Sequence, residues 1–265
     1  MNNPIKKCAL CLEKEASQKN SHIIPKFLGE KLFAESNPRH SLLFTSEGKQ
    51  MKVQDTPKED NLFCQDCEKG FNIYETYCSI RLSRYDDLKY RNSNNFGNIK
   101  IGEIECFYPK NLDIRIFNLF LYSIVWRASV SDSDVFQNFK LSSEDEDLLR
   151  VILMKYTALN QAELINKLIS FKELPPHCHF IFRPNRKLKT PNSGLYLKKI
   201  DDNFYHLGLV DYMLFYYTDD RKVFPGFEAL DNNRLQGHVL VGLLPEEIWR
   251  ESNSTIIKAL LARPG

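Results

Sequence analysis

Apolar and polar positions change rhythm along the chain, and the changes mark its elements. From Pro25 to about Glu35, Phe27, Leu28, Leu32 and Phe33 recur near helical spacing. From about Asp66 to Leu88, Phe71, Tyr74, Cys78 and Leu82 form the apolar stripe of a second helix. Short extended pieces surround them: His22-Ile23-Ile24 stopped by Pro25, Ser41 to Thr45, and Lys49 to Val53, followed by a polar loop from Asp55 to Asp60. Leu112 to Val130 is so dense in apolar residues that it predicts a largely buried helix. Leu141-Ser142-Ser143-Glu144 reads as a helix entry, with Ser143 as cap and Glu144, Asp145 and Glu146 at the positive end of the dipole; that helix covers Asp145 to Tyr156. Another, Gln161 to Phe171, precedes Pro175-Pro176.

After Pro176 the pattern turns strand-like over His177 to Arg183, Leu195 to Ile200, Phe204 to Tyr217 and Gly237 to Leu243, with Asp201-Asp202-Asn203 as a hairpin turn. Ile99 to Tyr108 alternates as a single strand, and the Asn- and Ser-rich 91–98 is a linker. Pro245 opens a last helix with Ile248, Trp249, Ile256, Ile257 and Leu260 as packing residues. The sum is an α+β protein: an N-terminal unit over 1–90, a linker and strand over 91–110, and a helical and antiparallel-sheet part over 111–265.

Composition narrows the classes. With 265 residues, 43% hydrophobic and 26% charged, the chain can bury a sizeable core. A net charge of +2 makes no global demand for nucleic acid, so a local basic patch has to supply any such affinity. The longest apolar run, Ile114 to Val125, is interrupted by Arg115 and Asn118, so no membrane span is expected. Seven cysteines, an odd count, without a signal segment fit a cytoplasmic protein that uses cysteines as ligands. No glycine-rich phosphate loop is present, which argues against nucleotide hydrolysis.

The candidate chemistry sits at the N-terminal end. Cys8-x-x-Cys11 and Cys64-x-x-Cys67 bracket Ser21-His22-Ile23-Ile24-Pro25. Two x-x-spaced pairs suit one tetrahedral Zn2+, because each tight turn aims two sulfurs at one point. Glu68, Asn72 and Glu75 then fall at i, i+4 and i+7 on one helical face. They are either a site face or a solvated one.

The order Cys-x-x-Cys, Ser21-His22-Ile23-Ile24-Pro25, Asn61-Leu62-Phe63-Cys64, Cys67-Glu68 resembles that of the HNH endonucleases, over roughly the first third of the chain. The string is also similar to a broad set of uncharacterised bacterial HNH-like proteins. The resemblance implies a ββα-metal finger propped by a four-cysteine zinc. His22 becomes the general base, Asn61 the residue that orients it, and a divalent ion, Mg2+ or Mn2+, rests on the scissile phosphate. It further implies DNA as substrate, with RNA sharing the same residues, and a role in bacterial defence, with a defence-system protein as partner. Two positions depart from the family pattern. Ser21 stands where a metal-binding Asp or His is usual, and Glu68 where His or Asn is usual. Glu68, with Asn72 or Glu75, is then the expected ion ligand. The departures equally fit a zinc-stapled module without activity that binds nucleic acid or protein.

Weaker signals lie further on. Arg183, Arg186, Lys187, Lys189, Lys198 and Lys199 form a basic stretch with no acid from Leu174 to Ile200, either a solvated hairpin or a phosphate-contacting patch. His177-Cys178-His179 lacks further ligands for a metal, Cys78 and Cys106 read as buried small apolar residues, and Trp126-Arg127 reads as packing.

Overall fold

The structure, a computed structural model, describes residues 6–29, 41–44, 50–82, 94–185, 195–219, 228–234 and 237–261. The N-terminal part holds two small ladders. β1 (Ser21–His22) pairs antiparallel with β4 (Lys58–Glu59), and β2 (Ser41–Phe44) with β3 (Gln50–Val53). Helix α1 (Gln65–Leu82) follows, and Phe71, Tyr74, Cys78 and Leu82 are all buried along it. The expected continuation of α1 to Leu88 and most of the Pro25–Glu35 helix fall outside the described residues; positions 26–29 are helical.

The remaining elements are β5 (Phe96–Ile101), β6 (Ile104–Pro109), α2 (Ile114–Val130), α3 (Ser143–Tyr156), α4 (Gln161–Leu168), β7 (Cys178–Pro184), β8 (Leu195–Lys199), β9 (Phe204–Leu209), β10 (Tyr212–Tyr217), β11 (Val241–Leu244) and α5 (Glu246–Leu261). Seven strands form one sheet in the order β5-β6-β11-β7-β10-β9-β8. The sheet is mixed, where a purely antiparallel one was expected: β11 runs parallel to β7 and antiparallel to β6. Two expected single strands are hairpins. Ile99 to Tyr108 belongs to β5 and β6, which turn at Gly102 with φ +56°; Phe204 to Tyr217 is β9 and β10, which turn at Val210 with φ +62°. A β-branched residue rarely takes that backbone region, so Val210 hides its turn from a reader of the sequence.

Side chains of the sheet alternate between two cores. On β7 and β10, Cys178, Phe180, Phe182, Met213 and Tyr217 face one way and meet Trp249 of α5. Ile181, Tyr212, Leu214 and Tyr216 face the other way and join the larger core around α2. Both faces are covered, so β7 is buried along its whole length. Helix α2 is buried on nearly every side and couples the sheet to the N-terminal part. Its Tyr122 ring meets His179 of β7 edge-on at 6.3 Å, and its Trp126 lies 5.8 Å from Phe63 and 6.3 Å from Phe71. No helix among the described residues is long and apolar enough to cross a membrane.

The entry to α3 shows how a cap ties layers together. Ser142, rather than Ser143, is the N-cap, because its Oγ reaches the amide of Asp145 at 3.1 Å. Ser142 Oγ also donates to Asp145 Oδ2 at 2.8 Å, and Asp145 Oδ1 pairs with buried His177 Nε2 at 3.0 Å. His177 Nδ1 meets the Tyr216 hydroxyl at 2.6 Å, so the helix start is bolted to the sheet. Burial works against ionising Asp145, but its bonds to His177 and Ser142 outweigh that and hold the carboxyl below its ordinary value. Asp145 therefore stabilises the fold above the unfolded carboxyl value near 3.9, and that contribution is lost as pH falls through the lower folded value. Asp145→Asn is expected to cost about 1–3 kcal/mol at pH 7 by chemical denaturation, with the gap from wild type closing as pH falls below the ordinary carboxyl value.

Candidate functional site

The four cysteines converge. The Sγ atoms of Cys8, Cys11, Cys64 and Cys67 all lie within 4.8 Å of one another, with Cys11 and Cys64 at 4.0 Å. Four Zn–S bonds of about 2.3 Å in a tetrahedron give sulfur–sulfur edges of about 3.8 Å, so the donor set fits Zn2+. Backbone geometry explains the convergence. The first pair sits on a tight turn: Leu12 N donates to Cys8 O at 2.9 Å, Cys8 N donates to Lys14 O at 2.8 Å, and Leu12 adopts φ +60°. Ala9 N to Leu62 O at 3.0 Å and Gln18 N to Phe63 O at 2.9 Å sew that turn to the strip before the second pair. Cys64 immediately precedes α1, its carbonyl accepting from Glu68 N at 3.1 Å, and Cys67 sits in the first turn. Both thiols of that pair stand at the helix's positive end, yet burial raises the Cys64 thiol above its ordinary value. Thiols this close compete for charge. Hydrogen bonding from Cys67 pushes the Cys8 thiol down to about 4, and the same contact drives Cys67 up. A divalent cation bound by all four as thiolates removes that conflict.

His22 lies on β1, half-buried, with its Nε2 3.4 Å from Asp55 Oδ2. A carboxylate only accepts, so Nε2 carries the proton in this pair and Nδ1 keeps its lone pair. Burial lowers the imidazole's pKa from its ordinary value, against the pull of Asp55. Asp55 is itself held: Lys58 Nζ lies 2.7 Å from its Oδ2, and Thr56 N donates to Oδ1 at 2.8 Å. Burial opposes its ionisation, but those bonds keep its carboxyl below the ordinary value.

On α1, Glu68 Oε2 accepts from Ser21 Oγ at 2.8 Å. Burial raises the Glu68 carboxyl above its ordinary value, against the nearby Arg127 and the Ser21 hydroxyl. Glu75 Oε1 pairs with Arg127 Nη1 at 2.7 Å, and the same nitrogen donates to the His22 carbonyl at 2.6 Å. Ser21, His22, Glu68 and Glu75 are thus linked through short contacts, while Asn72, on the same helix, is exposed. Among the described residues, the four cysteines are the one group of three or more His, Cys, Asp or Glu side chains whose ligand atoms converge this tightly. Asn61 is exposed in a left-handed turn, φ +58°, and its amide donates to Gln18 O at 2.8 Å.

The basic stretch divides. Arg183 is buried in the sheet, its guanidinium 5.4 Å from the Tyr212 ring and 6.0 Å from Phe107. Lys198 and Lys199 are half-buried on β8, with Lys199 Nζ 3.6 Å from Asp202. Arg186, Lys187 and Lys189 lie outside the described residues.

Sequence reasoning did not single out Asp55 or assign Arg127 to the site. Asp55 stands in the polar Asp55-Thr56-Pro57 turn with nothing to mark its partner 33 residues back. Arg127 did carry a signal: a cation inside an otherwise apolar, buried helix requires a counter-charge. Comparisons with protein-family models, with curated proteins and with solved structures return no match.

Proposed function

We propose that the chain is a metal-dependent nuclease of the HNH type that hydrolyses DNA phosphodiester bonds, with His22 as general base. The observation that carries this reading is the half-buried His22 imidazole, set by Asp55 at Nε2 on a strand whose Ser21 bonds Glu68, the residue after Cys67 of the clasp. Its lowered pKa keeps Nδ1 able to take a proton from water at neutral pH. The β1–β4 ladder followed by α1 has the element order of a ββα-metal finger, with an insertion between the strands. Asp55, rather than Asn61, is the orienting residue in this proposal.

Glu68 is the carboxylate assigned to an ion, since its Oε2 accepts from the neutral Ser21 hydroxyl whereas Glu75 is engaged by the Arg127 cation. One carboxylate with substrate phosphate and water fits how Mg2+ is commonly held. An ion bound there supplies charge stabilisation to the leaving oxygen. The Glu75–Arg127 pair also favours a second reading, a non-enzymatic zinc-stapled module that docks nucleic acid or protein. Supercoiled-plasmid nicking by the zinc-loaded chain with Mg2+ or Mn2+ separates the two. Nicking that depends on the added ion supports the nuclease. Retained DNA binding without nicking under either ion supports the module.

A further inference from the structure

We infer that Arg127 is a positioning residue for the reaction proposed above: from the central helix it pins the backbone of the base, His22, to the acidic helix α1. The inference rests on that reading and adds a residue to it. The Arg127 side chain is fully buried, and its Nη1 serves two elements, donating to the His22 carbonyl at 2.6 Å and pairing with Glu75 of α1 at 2.7 Å. Its Nε donates to Ser123 O at 3.1 Å within α2, which fixes the plane of the fork, and the guanidinium carbon lies 5.0 Å from the Phe71 ring centre. The arrangement joins residues 105 positions apart in sequence.

Stability alone does not explain it. A buried ion pair seldom outdoes apolar residues of the same size, and Arg127 Nη2 is buried without a partner. What the group does supply is location. Among the described residues, strand β1 has two residues and pairs with β4 alone, so its own ladder anchors His22 weakly. The guanidinium fixes that strand through its carbonyl and leaves the imidazole free to work. A lysine ammonium ends short of the Nη1 position and lacks the Nε donor that Ser123 O holds, so it cannot keep this geometry.

The test is plasmid nicking by Arg127→Lys and Glu75→Gln, with turnover and KM measured separately, well below each variant's melting temperature, and zinc content checked. Displacement of a base by about 1 Å can cost on the order of 100-fold. Arg127→Lys is therefore expected to lower kcat by about 10- to 100-fold with KM for DNA within about two-fold and zinc at one per chain. Glu75→Gln loosens the same clamp and moves kcat in the same direction; should Arg127→Lys fail to fold, it decides the matter. Wild-type kcat in either folded variant overturns the positioning role and leaves the nuclease reading intact. A wild-type chain that nicks with neither Mg2+ nor Mn2+ overturns both.

Discussion

Replacing His22 by alanine is expected to slow plasmid nicking by about 100- to 10,000-fold, the usual contribution of a positioned base, while zinc stays at one per chain. The separation of the two effects follows from placement. His22 is not among the four converging thiols, and its side chain is bound through Asp55 rather than through the clasp. Alanine leaves the His22 carbonyl in place, so the contact from Arg127 Nη1 survives. The pH profile is a second check. Burial holds His22 below its ordinary value of 6.5, so the neutral, proton-accepting form persists to lower pH than a free imidazole's. The wild-type rate is expected to be flat through neutrality and to fall on the acid side below 6.5. An acid limb above 6.5, or an alanine variant with wild-type turnover, sinks the assignment of the base.

The clasp carries the largest expected effect on stability. Cys64→Ser is expected to abolish stoichiometric zinc and to destabilise the chain by on the order of 4–5 kcal/mol, a melting shift of roughly 10 °C for a chain of this size. Cys64 links two jobs: its thiol is within reach of Cys11, and its carbonyl begins the hydrogen bonding of α1. Loss of the metal also loosens the turn at Cys8–Leu12, which Ala9 N ties to Leu62 O. Cys78→Ala, at a buried thiol outside the cluster, serves as the control and should keep one zinc per chain. Because the ligands bind as thiolates, acidification should release the metal in competition with protons. Metal analysis beside a melting curve reads both quantities. A wild-type chain purified without zinc and melting as high as the loaded one contradicts the clasp.

Local pattern carried much of the fold. The density of apolar residues from Leu112 to Val130 announced a buried helix, and α2 occupies Ile114–Val130. Asp201-Asp202-Asn203 announced the hairpin that joins β8 to β9. The cysteine spacing announced the cluster, because two short turns and one central point are a local rule applied twice. Long-range choices left no such trace. Nothing in Val241–Leu244 says that it lies between β6 and β7, parallel to one and antiparallel to the other. The faces of α1 were readable, yet Glu75 meets a guanidinium from α2, and that pairing depends on how two helices cross. Asp55 was hidden for the same reason. Its contact with His22 needs the β1–β4 ladder, which is closed by four residues separated by a long insertion.

The place of β11 has a consequence for synthesis. While a nascent chain lacks Val241–Leu244, β6 and β7 each expose an open hydrogen-bonding edge in the middle of what will become the sheet. Open edges of this kind recruit other strands, so ribosome-bound or prematurely terminated chains are the forms most prone to aggregate. Among the seven strands of this sheet, the one synthesised last is the one that covers both edges.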